Sequence, residues 1–132
     1  MAGIIVDIDG TLLNGSDPIQ RVVDYVNNKS KSYTIYILTS RMESSRADTT
    51  KDLRAAGVNY DRLYMRRENQ NNVYAKKAHA ERILKSNDIV LAIENNLKAK
   101  AMYKKLGIKT VSPSSLPSSL AKSSGFFDGL FD

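Results

Sequence analysis

The apolar run Ile4-Ile5-Val6 ends abruptly in Asp7-Ile8-Asp9-Gly10-Thr11, and that junction constrains the fold more than any other stretch of the chain. A short, wholly apolar segment stopped by a glycine turn reads as a strand covered on both faces, here Gly3–Ile8, which implies helices on either side of a parallel sheet. Residues i and i+2 of a strand share a face, so at the strand's end Asp7 and Asp9 can reach into one crevice with the Gly10 turn behind them. Two neighbouring carboxylates repel and need a cation or a shared proton. A calcium loop of the EF-hand kind also begins Asp-x-Asp, but its required sixth-position glycine and twelfth-position glutamate are Leu12 and Pro18 here.

The remainder alternates short apolar runs with amphipathic stretches, the pattern of βα units around a mostly parallel sheet. Helices are predicted over Ile19–Asn28, opened by Asp17-Pro18 as N-cap and first-turn proline, over Ser45–Ala56, closed by Gly57, over Val73–Lys85, and over Leu97–Leu106, closed by Gly107. Strands are predicted over Tyr33–Leu38, Arg62–Met65, Asp88–Ile93 and Ile108–Val111. A chain of 132 residues builds one core. We place that domain at residues 1–111 and read 112–132, which opens Ser-Pro-Ser-Ser-Leu-Pro, as a Ser/Pro-rich tail. Phe126, Phe127 and Phe131 at its end would serve either a protein partner or the protein's own sheet.

With no cysteine and one histidine, His79, to which no role is given, thiolate chemistry and Cys/His zinc sites are excluded and any metal must be held by oxygen. Twenty Lys and Arg against 14 Asp and Glu give a net charge of +6, which favours phosphate-rich partners. No apolar run approaches the ~18 residues of a membrane span, and the first residues lack the basic-then-apolar order of a signal peptide, so a cytoplasmic protein with no membrane association is expected.

Ile4 to Leu12 (IIVDIDGTL) resembles the first motif of the haloacid dehalogenase-like phosphohydrolases. That family's second motif, a Thr or Ser ending the second strand, is matched by Thr39-Ser40-Arg41; its third, a lysine early in a helix, by Lys76 or Lys77. Its fourth should place aspartates after the fourth strand, where this chain departs with Glu94-Asn95-Asn96. Arg41, Arg66-Arg67-Glu68 and the LAIENN segment are similar, within the family, to the phosphatase half of phage polynucleotide kinase/phosphatases, over about residues 3–111. No G-x-x-x-x-G-K-[ST] loop is present, so no kinase is expected within these residues.

In the doubly wound order 3-2-1-4-5 the first strand lies between the second and fourth, and the three motifs converge at the carboxyl edge of the sheet, at its topological switch point. The resemblance implies that Asp7 is the nucleophile forming an aspartyl-phosphate, Asp9 the general acid and base, and Thr39 and Lys76 (or Lys77) further catalytic groups. Gly10, Thr11, Ser40, Arg41 and Arg67 would contact substrate. Mg²⁺ would be held by Asp7, the Asp9 carbonyl and Glu94 or Asn95, with Glu94 the more costly to lose because it carries charge. Tyr64 or Tyr74 would stack a base. The connections after Asp9 and after the third strand leave no room for a cap domain, which suits a bulky substrate. The expected activity is a magnesium-dependent phosphomonoesterase for polynucleotide 3′-phosphate ends; a small-molecule nucleotide or sugar-phosphate phosphatase and a weak or inactive phosphate-end binding module are the alternatives.

Overall fold

The strand β1 (Gly3–Val6) is buried along its whole length, and it is buried because sheet neighbours flank it on both edges and helices cover both faces. The computed structural model describes residues 1–117, in which β1 pairs in parallel with β4 (Thr34–Met42) on one edge and β6 (Ile89–Ile93) on the other. β5 (Arg62–Arg66) and β7 (Thr110–Val111) complete a five-stranded parallel sheet of order β5-β4-β1-β6-β7. Numbered by the five predicted strands this is 3-2-1-4-5, the doubly wound Rossmann-like arrangement expected. No cap domain is inserted among the described residues.

Strand alternation divides the core. Ile4 and Val6 point to one side, where they meet Val22, Val23 and Val26 of α1 (Gln20–Lys29) and Leu53 of α2 (Arg46–Ala55). Ile5 points to the other, against Ala80 and Ile83 of α3 (Asn72–Leu84) and Ala99, Met102 and Tyr103 of α4 (Leu97–Lys105). Each fully buried aliphatic side chain contributes roughly 1.5–3 kcal/mol. Gly57 and Gly107 follow α2 and α4 with positive φ, as predicted.

Three local expectations are corrected. Asp17-Pro18 does not cap α1: it forms β3 (Asp17–Pro18), paired with β2 (Leu13–Asn14) in a small antiparallel hairpin, and the helix begins after Ile19 with no side-chain cap. The Asn14-Gly15 turn signal outweighs the capping signal there. β4 runs on to Met42, so Thr39, Ser40 and Arg41 lie within the strand and not beyond it. At the other end, Leu116 packs into the core beyond a short 3-10 turn at Pro113–Ser115, so the domain passes the predicted boundary at Val111. Phe126, Phe127 and Phe131 lie outside the described residues.

Candidate active site

The carboxyl ends of β1, β4 and β6 surround a cavity of about 870 Å³ whose wall includes Asp7, Asp9, Ser40, Lys76, Glu94 and Asn95. Asp7 directly follows β1, and its N–H continues the ladder by donating to the Ile93 carbonyl at 3.0 Å. The chain then turns sharply, with Thr11, Leu12 and Leu13 all donating their N–H groups to the Ile8 carbonyl. Gly10 is needed twice in this turn: its φ is +76°, and a Cβ there would collide with the Asn95 amide.

Asp7 sits on the cavity floor, 5% exposed. Its Oδ1 accepts from Lys76 Nζ at 3.0 Å and its Oδ2 from the Thr11 hydroxyl at 3.2 Å. The same ammonium donates to Glu94 Oε1 at 2.7 Å, while Glu94 Oε2 accepts the backbone N–H groups of Asn95 and Asn96, each at 3.1 Å. All three ionisable groups are buried. Burial pushes the Asp7 carboxyl up to about 7, with Lys76 opposing the rise and Glu94 adding to it. Burial would pull the Lys76 ammonium down, but Asp7 and Glu94 outweigh it and hold its pKa above the ordinary value. Tyr103, packed beneath, is raised by burial and then by the charges of Glu94 and Asp7.

Asp9, two residues on, is in the opposite situation: its side chain is 57% exposed and bound by Arg41. Arg41 Nε reaches Asp9 Oδ1 and Oδ2 at 3.2 and 3.1 Å, and Nη2 reaches Oδ1 at 2.9 Å. Nη2 also donates to the Gly15 carbonyl at 3.1 Å, and Nη1 to Thr49 Oγ1 and Asp52 Oδ2, both at 3.4 Å. The five N–H donors of a guanidinium are thereby all engaged. Arg41 fixes Asp9 to the hairpin and to α2.

Of the remaining candidates, Ser40 lines the cavity, whereas Thr39 is buried with its hydroxyl oxygen accepting the Arg41 N–H at 3.1 Å. On α3, Lys76 points inward with Ala75, Ala80 and Ile83, and Lys77 is exposed. Arg67 is exposed and is not part of the cavity wall. Arg66 binds the Ser40 and Gln70 carbonyls, Arg46 pairs with Glu43, and His79 Nε2 lies 3.0 Å from the Met65 carbonyl. The outer wall was not anticipated. Asn71, Asn72 and Val73 at the start of α3 face Asn96, Leu97 and Lys98 at the start of α4, with Asn71 and Asn96 capping the two helices. An Asn-Asn pair ahead of an amphipathic run is a capping signal, and it was legible at both places.

The expected metal ligands divide. Glu94 is committed to Lys76 and two backbone N–H groups, and among the described residues no three His, Cys, Asp or Glu gather to hold a metal. Asp7 Oδ2 and Asn95 Oδ1 do converge, both within hydrogen-bond reach of Thr11 Oγ1, at 3.2 and 3.5 Å. Asp7 Oδ2 and Asn95 Oδ1 are hard oxygen donors side by side and fit an oxygen-preferring cation, whereas the Glu94 oxygens are already engaged by Lys76 and the two backbone N–H groups.

A buried carboxylate, a lysine beside it and a second acid two residues on stand together at the switch point of a doubly wound sheet, where such folds receive ligands. Residues 15–101 match the profile described as HAD superfamily, subfamily IIIB (acid phosphatase), and the chain belongs to that family. Solved structures carry the same fold. A chain in the structure of a Pnkp1/Rnl/Hen1 complex superposes with a TM-score of 0.74 at 22% identity, covering 84% of this chain and 45% of that one. A chain in the structure of the Pnkp1/Rnl/Hen1 RNA repair complex gives 0.69 at 23%, covering 84% and 42%. This protein thus spans less than half the length of either. No curated protein sequence matches it. No helix among the described residues is long and apolar enough to cross a membrane.

Proposed function

We propose that this phosphatase removes the terminal phosphate from nucleic-acid 3′ ends, working in the cytoplasm through a covalent Asp7-phosphate. The observation that carries the chemistry is the buried Asp7–Lys76–Glu94 floor beneath a wide, uncapped cavity. The fold shared with a chain of an RNA repair complex supports the substrate class.

In this reading an Asp7 oxygen attacks phosphorus and the bond from phosphorus to the 3′ oxygen breaks, with Asp9 protonating the departing oxygen. Asp9 then takes a proton from water, whose oxygen attacks phosphorus and releases Asp7 and inorganic phosphate. Lys76 faces the charge that grows on the phosphoryl oxygens, and Glu94 holds Lys76 in place from behind. Ser40, on the cavity wall, donates its hydroxyl to a phosphoryl oxygen; Thr39 supports the backbone at Arg41. When bound by Asp7, Asn95 and the Asp9 carbonyl, Mg²⁺ supplies the positive charge that lets an anionic carboxylate approach an anionic phosphate. Arg41 keeps Asp9 at the cavity mouth.

The test is phosphate release from a 3′-phosphorylated oligonucleotide with and without Mg²⁺. Turnover that requires the metal and is lost in Asp7→Asn is expected; unchanged turnover by that variant would remove Asp7 from the role. The acid phosphatase profile favours a second reading, a phosphatase of small nucleotides or sugar phosphates. It is preferred if free mononucleotides are hydrolysed faster than oligonucleotides at matched concentration.

A further inference from the structure

Large apolar side chains are scarce on the outside of the described residues. Among the described residues only Met1, Tyr74 and Leu97 are largely exposed, at 78%, 60% and 79%. Met1 is the first residue of the chain. The other two stand in the first turns of α3 and α4, the helices whose starts face each other across the cavity mouth. Leu97 itself lines the cavity, together with Val73, the residue before Tyr74.

An exposed leucine forgoes the roughly 1.5–3 kcal/mol that burial would give it. Nothing in α4 asks for one at that position, since the helix is anchored by Ala99, Met102 and Tyr103 and capped by Asn96. Exposed apolar surface set in the rim of a polar cavity marks where a ligand with an apolar face is received. The cavity, at about 870 Å³, also far exceeds what one phosphate group fills.

The charges on the rim complete the description. Lys76 and Arg41 are neutralised by Asp7, Glu94, Asp9 and Asp52, but among the described residues Lys98 has no carboxylate within ion-pair distance, and it lines the cavity beside Leu97. The site therefore offers a phosphate floor, an apolar rim and one free cation next to that rim. A nucleotide at a chain end presents those three features in one ligand: a terminal phosphate, a base with two apolar faces and a further phosphodiester.

We propose that Leu97 and Tyr74 receive the base of the nucleotide that bears the scissile phosphate, and that Lys98 contacts the adjoining phosphodiester. This assignment rests on the nucleic-acid reading above and says how that substrate is told from other phosphate esters. Tyr74 contributes a stacking face, Leu97 an aliphatic platform, and neither reads the identity of the base.

The experiment compares two 3′-phosphorylated oligonucleotides, identical except that one ends in an abasic sugar, using the wild type and Leu97→Ala, Tyr74→Ala and Lys98→Ala, with glycerol 2-phosphate as a base-free ester. Both substituted apolar residues are exposed, and thermal unfolding checks that the variants remain folded. For the wild type, kcat/KM is expected to favour the base-bearing end by about tenfold or more. Leu97→Ala and Tyr74→Ala should each bring that ratio toward one, chiefly through KM. Lys98→Ala should instead weaken both oligonucleotides alike and reduce the salt dependence by about one ion. A wild-type ratio of one, or a ratio unmoved by both apolar substitutions, overturns the rim assignment while leaving the 3′-end phosphatase intact. Hydrolysis of glycerol 2-phosphate with no turnover of either oligonucleotide overturns the nucleic-acid reading itself, and the rim assignment with it.

Discussion

Asp7 and Asp9 leave the same strand two residues apart, and the fold gives them opposite surroundings. Asp7 is sealed beneath the cavity between a lysine and a second buried carboxylate; Asp9 stands at the mouth, more than half exposed, gripped by an arginine that has spent every donor. The difference teaches that the residue type did not assign the roles. Burial and fixed partners hold Asp7 in one orientation while Asp9 stays open to solvent, and the proposed roles of nucleophile and of acid and base follow that difference.

The sharpest way to break this contrast is to neutralise each acid in turn. Asp7→Asn removes the attacking oxygen's charge and should lower kcat by about 10⁴-fold or more, with no phosphoenzyme trapped on acid quench. Asp9→Asn keeps the nucleophile and should lower kcat by roughly 10²–10⁴-fold, the loss of general acid–base help. Equal loss in the two variants, with no phosphoenzyme in either, would mean that the surroundings do not separate the roles.

The next test separates Glu94 from Asn95. Because Glu94 is bound to Lys76 and the start of α4, Glu94→Gln should lower kcat by about 10²-fold by releasing Lys76, with the half-activating Mg²⁺ concentration little changed. Asn95→Ala should raise that concentration about tenfold, a loss of about 1.4 kcal/mol. The sequence alone suggested the reverse order, on the ground that Glu94 carries the charge. A Mg²⁺ titration of both variants decides it.

The binding of Glu94 to Lys76 shows which parts of the site the sequence displays. Asp7, Asp9 and Gly10 were legible because an apolar run ending in acids and a glycine has few structural solutions, and the strand order followed from the βα alternation. Lys76 and Lys77 could not be separated by helical phase, since stripes through either include Ala80; packing of Ala75, Ala80 and Ile83 on the sheet turned Lys76 inward. The grip of Arg41 on Asp52 and the Gly15 carbonyl was not legible, because those partners lie 11 and 26 positions away and only the tertiary fold joins them. The β2–β3 hairpin was masked by an Asp-Pro pair that also reads as a helix start.

A smaller effect is expected from Arg41→Lys. Lysine keeps a charge but cannot bridge Asp9, Asp52 and the Gly15 carbonyl at once. Turnover should fall about tenfold with KM nearly constant. A large rise in KM with kcat preserved would return Arg41 to phosphate binding.

The smallest effect concerns stability without metal, and here the nucleophile should be a liability. Asp7 carries a folded-state pKa of about 7 against an ordinary value of 3.8, so between those limits the folded protein keeps a proton that the unfolded chain has released. Its contribution is thus fully present below about pH 4 and is lost as pH rises toward and past 7, because the buried carboxylate must then ionise beside Glu94 with Lys76 shared between them. Asp7→Asn removes this dependence. Measured in chelator, the variant should melt at a higher temperature than the wild type at pH 8, by an amount on the order of 1–2 kcal/mol, and the two should draw together at pH 4. Adding Mg²⁺ should narrow the gap at pH 8 by stabilising only the wild type, since asparagine leaves the cation no carboxylate on the floor. A variant less stable than the wild type at pH 8 without metal would mean that the Asp7–Lys76 pair outweighs the cost of burying a second acid.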